Sequence, residues 1–128
     1  MLSSSAEDYL KEIYKLQDAH DVVSTSAIAE RLKVSAASVT NMVKKLAEMS
    51  LVTHVPYQGI TLTEGGQKIA LEVIRHHRLL ELYLSQAMGY SWDKVDEEAE
   101  RLEHVISEEY EDKIDEMLGF PTEDPHGS

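Results

Sequence analysis

Residues 24–63, STSAIAERLKVSAASVTNMVKKLAEMSLVTHVPYQGITLT, decide the fold. Ile28, Ala29 and Leu32 give a short helix over 26–33 its apolar face, and Val34-Ser35 breaks it. Ser35 then caps a second helix, in which Val39, Met42, Val43 and Leu46 recur at steps of three and four. The period changes to that of a strand over 51–55. Pro56-Tyr57-Gln58-Gly59 reads as a turn, and 60–63 answers as the returning strand of a small hairpin. Two tightly joined helices followed by a two-stranded wing make a winged helix-turn-helix, which sets its second helix into the major groove of DNA. The exposed side of that helix carries Ser35, Ala37, Ser38, Thr40, Asn41, Lys44 and Lys45. Small hydroxyls and alanines let the backbone approach base edges and thymine methyls. Asn41 suits adenine, Lys44 and Lys45 suit phosphates, and Tyr57 or Gln58 at the wing tip suits the neighbouring backbone. The plainer alternative is a three-helix scaffold or dimerisation module.

Upstream, serines 3–5 with Glu7 and Asp8 open an N-terminal helix whose Tyr9, Ile13 and Leu16 recur to about Asp18. Downstream, Thr63-Glu64 opens a fourth helix with Ile69, Val73, His77, Leu80 and Leu84 on one stripe, ended by Gly89 after about Met88. Ser91 caps a fifth helix expected from about Trp92 to Leu118, with a break allowed. Its stripe is Val95, Ala99, Leu102, Ile106, Tyr110 and Ile114. Gly119, Pro121 and Pro125 begin a linker. The expected class is mainly α: a DNA-binding winged helix-turn-helix over 1–71, a helical metal-binding and dimerisation domain over 72–120, and the start of a linker over 121–128.

Composition agrees with a small globular protein. The chain has 128 residues, 42% hydrophobic and 28% charged, which fits one domain or two very small ones sharing a core. No apolar run approaches the roughly 18 residues of a membrane helix, nothing at the start resembles a secretory signal, and a cytoplasmic protein is expected. The absence of cysteine excludes disulfides, thiolate metal sites and cysteine nucleophiles. The net charge of −12 is unusual for a nucleic-acid binder, but it is unevenly spread. Residues 24–68 carry five bases against three acids, and residues 73–128 five bases against fifteen acids. A mildly basic segment precedes a strongly acidic one, which suggests two jobs.

The acidic part holds Glu100-Arg101-Leu102-Glu103-His104, where helical spacing turns Glu100, Glu103 and His104 to one side. His77 and Glu81 form an i, i+4 pair on the fourth helix, with His77 on the apolar stripe; Asp8 is available to complete the set. An imidazole on a buried face beside inward carboxylates needs either a proton or a metal ion. Oxygen-rich ligands with one or two imidazoles and no sulfur favour six-coordinate Mn²⁺ or Fe²⁺ over Zn²⁺ or Cu⁺. His20, His54 and His126 lie in loops or turns without an assigned role, and His76, turned from the His77 face, is expected in solvent.

These residues together resemble the diphtheria-toxin-repressor family of metal-dependent repressors, and more closely its manganese-transport-regulator branch. The resemblance rests on EDYLKEIYKL, IAERLKVSAASVTNMVKKL, GITLTEGG, RHHRLLE and EEAERLEHVISEE, which span nearly the whole chain. It implies a homodimer that binds a palindromic operator when Mn²⁺ or Fe²⁺ is plentiful and so controls metal uptake, with one or two ions per subunit. It also implies no enzymatic activity, no organic substrate and no membrane partner. Asp8, Glu100, Glu103 and His104 match one ligand set, and His77 and Glu81 match an adjacent or bridged one. A carboxylate at Glu100, where the iron-responsive members have cysteine, is the manganese-branch pattern. Ser35, Ala37, Ser38, Thr40 and Asn41 fall at base-facing positions and Lys45 at a phosphate-facing one. Lys11 stands where the compact two-metal members have a glutamate, so separated sites are expected, with Asp96 serving the His77/Glu81 site. Larger members continue through a proline-rich linker into a third domain, and 121–128 is where that linker would begin. Repulsion among Asp8, Glu81, Glu100 and Glu103, relieved by divalent ions, is the expected switch. Leu79, Leu82 and Tyr83, with the apolar face of the fifth helix, are expected at the dimer surface. The rival readings are a winged-helix regulator of an organic ligand and a small metal-dependent hydrolase. The first needs an apolar pocket where charged residues stand; the second leaves residues 24–63 unexplained.

Overall fold

Serine hydroxyls start helices along the chain. Ser3 Oγ accepts the Ala6 N–H at 3.1 Å, Ser24 Oγ that of Ala27 at 3.0 Å, Ser35 Oγ that of Ser38 at 3.1 Å and Ser107 Oγ that of Tyr110 at 3.1 Å. Each satisfies a backbone donor that the first helical turn leaves unpaired. The helices they begin are α1 (Ser4–Gln17), α2 (Thr25–Leu32), α3 (Ala36–Glu48) and α6 (Glu108–Met117). Between α3 and α6 lie β1 (Val52–Val55), β2 (Gly59–Leu62), α4 (Glu64–Ala87) and α5 (Trp92–Leu102). The structure is a computed structural model, which describes residues 2–18, 21–55 and 57–119. The chain divides into two compact units, with the boundary between Leu71 and Glu72. The expected linker over 121–128, and with it Pro121, Pro125 and His126, lies outside the described residues, as do His20 and Pro56.

In the first unit, Leu10, Ile13, Ile28, Val39, Leu46 and Ile60 are fully buried and join α1, α2, α3 and the hairpin in one core. The strands pair antiparallel with Val52 opposite Leu62 and Val55 opposite Gly59. A rung that the sequence pattern does not announce lies beyond them. Val23 exchanges both backbone hydrogen bonds with Ile60, at 2.8 and 2.7 Å, and so adds a third short contact to the wing. Gln17 Oε1 also accepts the Leu62 N–H at 2.9 Å, tying the end of α1 to β2. Gly59 is required where Val23 crosses: its φ is +135°, and a Cβ there would stand 2.3 Å from the Val23 carbonyl oxygen. The α2–α3 turn is closed by Lys33 in the left-handed region at φ 57°.

The second unit packs Leu79, Leu80, Leu84, Val95, Ala99 and Ile114 together. The long fifth helix expected from Trp92 to Leu118 is two helices. α5 ends at Leu102, and Ser107 caps α6 afresh. This restart changes the phase of the inward face. Glu111, Ile114 and Asp115 are buried, while Tyr110, placed on the apolar stripe by an unbroken period, is exposed. Leu79 and Leu82, expected at a dimer surface, are already buried within the chain, and Tyr83 packs against the second core. The large apolar side chains that this unit exposes are Met88, Trp92, Val105, Tyr110 and Met117. Among the described residues, no helix is long and apolar enough to cross a membrane.

Candidate metal centre and nucleic-acid interface

Three consecutive residues of α4, Arg75, His76 and His77, organise the polar interior of the second unit. His77 Nε2 lies 2.7 Å from Glu81 Oε1, one turn along α4, and 2.8 Å from Asp96 Oδ1 on α5. On the other side of the ring, Nδ1 is 2.6 Å from Glu103 Oε2. Each of these carboxylates accepts, so the ring nitrogens donate when protonated. Glu81 and Glu103 are buried at 2% and 1% exposure, whereas Asp96 opens to solvent. Burial alone would lower the His77 pKa. The Glu103 hydrogen bond and charge, the charge of Glu81 and the hydrogen bond to Asp96 outweigh it and hold the pKa above its ordinary value.

The same geometry suits a divalent cation. One ligand atom each from His77, Glu81 and Asp96 lies within 4.8 Å of the others. Two carboxylates and an imidazole, without sulfur, form the hard donor set expected of Mn²⁺ or Fe²⁺, and they leave room for further oxygen ligands. Loss of the Nε2 proton leaves a lone pair aimed between Glu81 and Asp96. Nδ1–H then keeps its carboxylate partner, as a metal-bound histidine usually does. The residues present fit the group.

The remaining expected ligands are distributed as follows. Glu103 caps the C-terminal end of α5, and its Oε1 lies 3.3 Å from His104 Nε2. Glu100 sits on α5 and is exposed, while Glu103, three residues on, is buried. Asp8 belongs to the first unit, on α1, where Lys11 Nζ is 3.9 Å from its Oδ1. His76, expected in solvent, is buried: its Nδ1 donates to the backbone carbonyl of Glu103 at 2.9 Å, and its Nε2 meets Glu111. Arg75 pairs with Glu111 and, at 2.7 Å, with Asp115. Sequence reasoning missed this group. The legible signal was Glu111 and Asp115 at i, i+4 after a serine cap; their inward direction depended on recognising the restart at Ser107.

In the first unit, α3 presents Ser35, Ala37, Ser38, Thr40, Asn41, Lys44 and Lys45, all exposed, while Val39, Val43 and Leu46 face the core. Ser35 Oγ also donates to Ser38 Oγ at 3.0 Å, and Thr40 Oγ1 donates back to the Ala36 carbonyl at 3.0 Å. Tyr57 at the wing tip is fully exposed, with a φ of 64°. A row of small polar and basic side chains on a helix backed by an apolar core is what a groove-reading helix needs.

Comparison with known proteins agrees with this division. Residues 1–60 match the iron dependent repressor N-terminal DNA binding domain, and residues 63–128 match the iron dependent repressor metal binding and dimerisation domain. The chain is 35% identical over 127 residues to the iron-dependent repressor IdeR of Mycobacterium tuberculosis, covering 99% of this chain and 55% of that one. It is 35% identical over 124 residues to the HTH-type transcriptional regulator MntR of Bacillus subtilis, covering 97% and 87%. A solved manganese-dependent transcriptional repressor in complex with manganese matches with a TM-score of 0.86 and 48% identity, over 94% of this chain and 56% of that one. The chain thus spans about half the length of the mycobacterial repressor and of the solved one, and most of the length of the Bacillus regulator. These relatives are repressors and regulators of transcription. Taken together, the two matched domains and the shared fold make this chain a member of the diphtheria-toxin-repressor family, allied to its manganese-regulator members.

Proposed function

We propose that this protein is a cytoplasmic, metal-dependent transcriptional repressor, a homodimer that binds a palindromic operator when Mn²⁺ or Fe²⁺ is available and thereby controls metal uptake. The observation that carries the reading is the convergence of His77, Glu81 and Asp96 in the same chain as an exposed reading helix. His77 Nε2, Glu81 and Asp96 hold one ion. Asp8, Glu100, Glu103 and His104 are the ligands that the family resemblance assigns to a second. When bound, the cation offsets repulsion among carboxylates that the chain keeps close together. Glu103 orients the His77 ring through Nδ1 in either state. On α3, Ser35, Ala37, Ser38, Thr40 and Asn41 read bases, Lys44 and Lys45 hold phosphates, and Tyr57 touches the flanking backbone. In this reading DNA binding belongs to 1–71 and metal binding and dimerisation to 72–120. Self-association is supported by the family description of residues 63–128 and by the large apolar side chains that the second unit exposes. No catalytic step is assigned to any residue.

The test is selection of duplexes from a random DNA pool by the full chain, with Mn²⁺ or with a chelator. The expected result is enrichment of a palindrome with Mn²⁺ alone. The same enrichment in both arms, or in neither, contradicts the reading.

A further inference from the structure

We infer that His76 is a positioning residue of the metal centre, holding the backbone of Glu103 so that its carboxylate meets His77; this rests on the metal-dependent reading above. Glu103 lies where α5 has ended, and its φ and ψ of −58° and −24° are still helical. Carbonyls at such an end lack the donors that a continuing helix would supply. His76 Nδ1 provides one at 2.9 Å, and because a carbonyl can only accept, Nδ1 is the donor. Residue 103 is therefore gripped at two points from adjacent positions of α4: His76 holds its carbonyl, and His77 Nδ1 holds its carboxylate at 2.6 Å.

His76 is itself held. Its Nε2 meets Glu111 of α6, whose carboxylate also pairs with Arg75, while Arg75 reaches Asp115 one turn further at 2.7 Å. Glu111 and Asp115 are buried, and so is His76. Side chains fixed in this way have little freedom to let the Glu103 backbone drift. The chain of contacts runs from α6 through Glu111 and His76 to the Glu103 carbonyl, then through the Glu103 carboxylate to His77, Glu81 and Asp96. In it His76 touches no cation. It acts by setting where Glu103 stands, and Glu103 sets the ring of His77. Outer partners of this kind change metal affinity by about 10–100-fold when removed.

The experiment is calorimetric titration of Mn²⁺ into the full wild-type chain, His76→Leu and His76→Asn, with the melting temperature and the His77 imidazole N–H resonance of each metal-free protein. Asn places an amide donor near the position of Nδ1. His76→Leu is expected to weaken Mn²⁺ affinity about 10–100-fold and to shift the hydrogen-bonded His77 Nδ1–H signal upfield, with His76→Asn restoring much of both. A purely structural His76 would lower the metal-free melting temperature and leave affinity and resonance unchanged, which overturns the inference and leaves the functional reading standing. Absence of Mn²⁺ binding by the wild type would overturn that reading and the inference with it. If His76→Leu does not fold, Glu111→Gln decides: weaker Mn²⁺ binding supports the inference, and wild-type affinity overturns it.

Discussion

Glu81 concentrates the residue-scale chemistry. It is 2% exposed, one turn from His77 on the same helix, and its Oε1 lies 2.7 Å from the ring. A buried carboxylate beside an imidazole is the kind of group that a bound cation would favour, as the proposed function requires. Glu81→Gln keeps the shape and removes the charge. Its Mn²⁺ affinity should fall by at least about tenfold in a calorimetric titration, while metal-free melting changes little or rises. Gly66 shows the opposite kind of constraint, one of space. A Cβ there would stand 2.0 Å from the Leu51 carbonyl oxygen, where α4 begins against the start of the wing. Backbone cannot yield as a flexible side chain can, so Gly66→Ala should lose about 2 kcal/mol or more in a urea unfolding titration.

At the scale of elements, the caps explain where helices begin, and one cap carries unusual weight. Ser107 starts α6 and so sets the face on which Glu111 and Asp115 point inward to Arg75 and His76. Ser107→Ala should lower stability by about 1 kcal/mol, read from the shift in a denaturation midpoint. That restart also marks the limit of what the sequence told. The helix-turn-helix was legible because Ser35, the Val39–Val43–Leu46 spacing and the turn at 56–59 are local signals. The pairing of Val23 with Ile60 was not, because a single residue's rung has no period. The carboxylates and His77 were legible as types at helical spacing, and Asp96 was placed with them through the family resemblance. Their joining through Glu103 was hidden by treating 92–118 as one period. The same assumption sent Tyr110 to the interior, whereas His76 was sent to solvent because it lies off the apolar stripe of α4. Leu79 and Leu82 were read as a surface because apolar periodicity marks a buried face without saying what covers it.

For the whole molecule, the question is how a chain of net charge −12 engages a polyanion. On the proposed reading, binding depends on a local basic surface, and the exposed Lys44 and Lys45 on α3 would supply it beside the small polar side chains of the same helix. Removing one phosphate contact should weaken all duplexes similarly. Lys44→Ala is expected to lower the slope of log affinity against log salt by about one, measured by fluorescence anisotropy with Mn²⁺ present. The strongly acidic second unit then has a use beyond solubility. Its buried carboxylates are arranged about His77, where a divalent ion would reduce the local negative charge.

The most direct measurement is an anomalous difference map from crystals of the protein grown with Mn²⁺, recorded on the manganese absorption edge. A peak bounded by His77 Nε2, Glu81 and Asp96, with Glu103 still on His77 Nδ1, is the predicted result. Crystals with those side chains ordered and no peak among them would contradict the account.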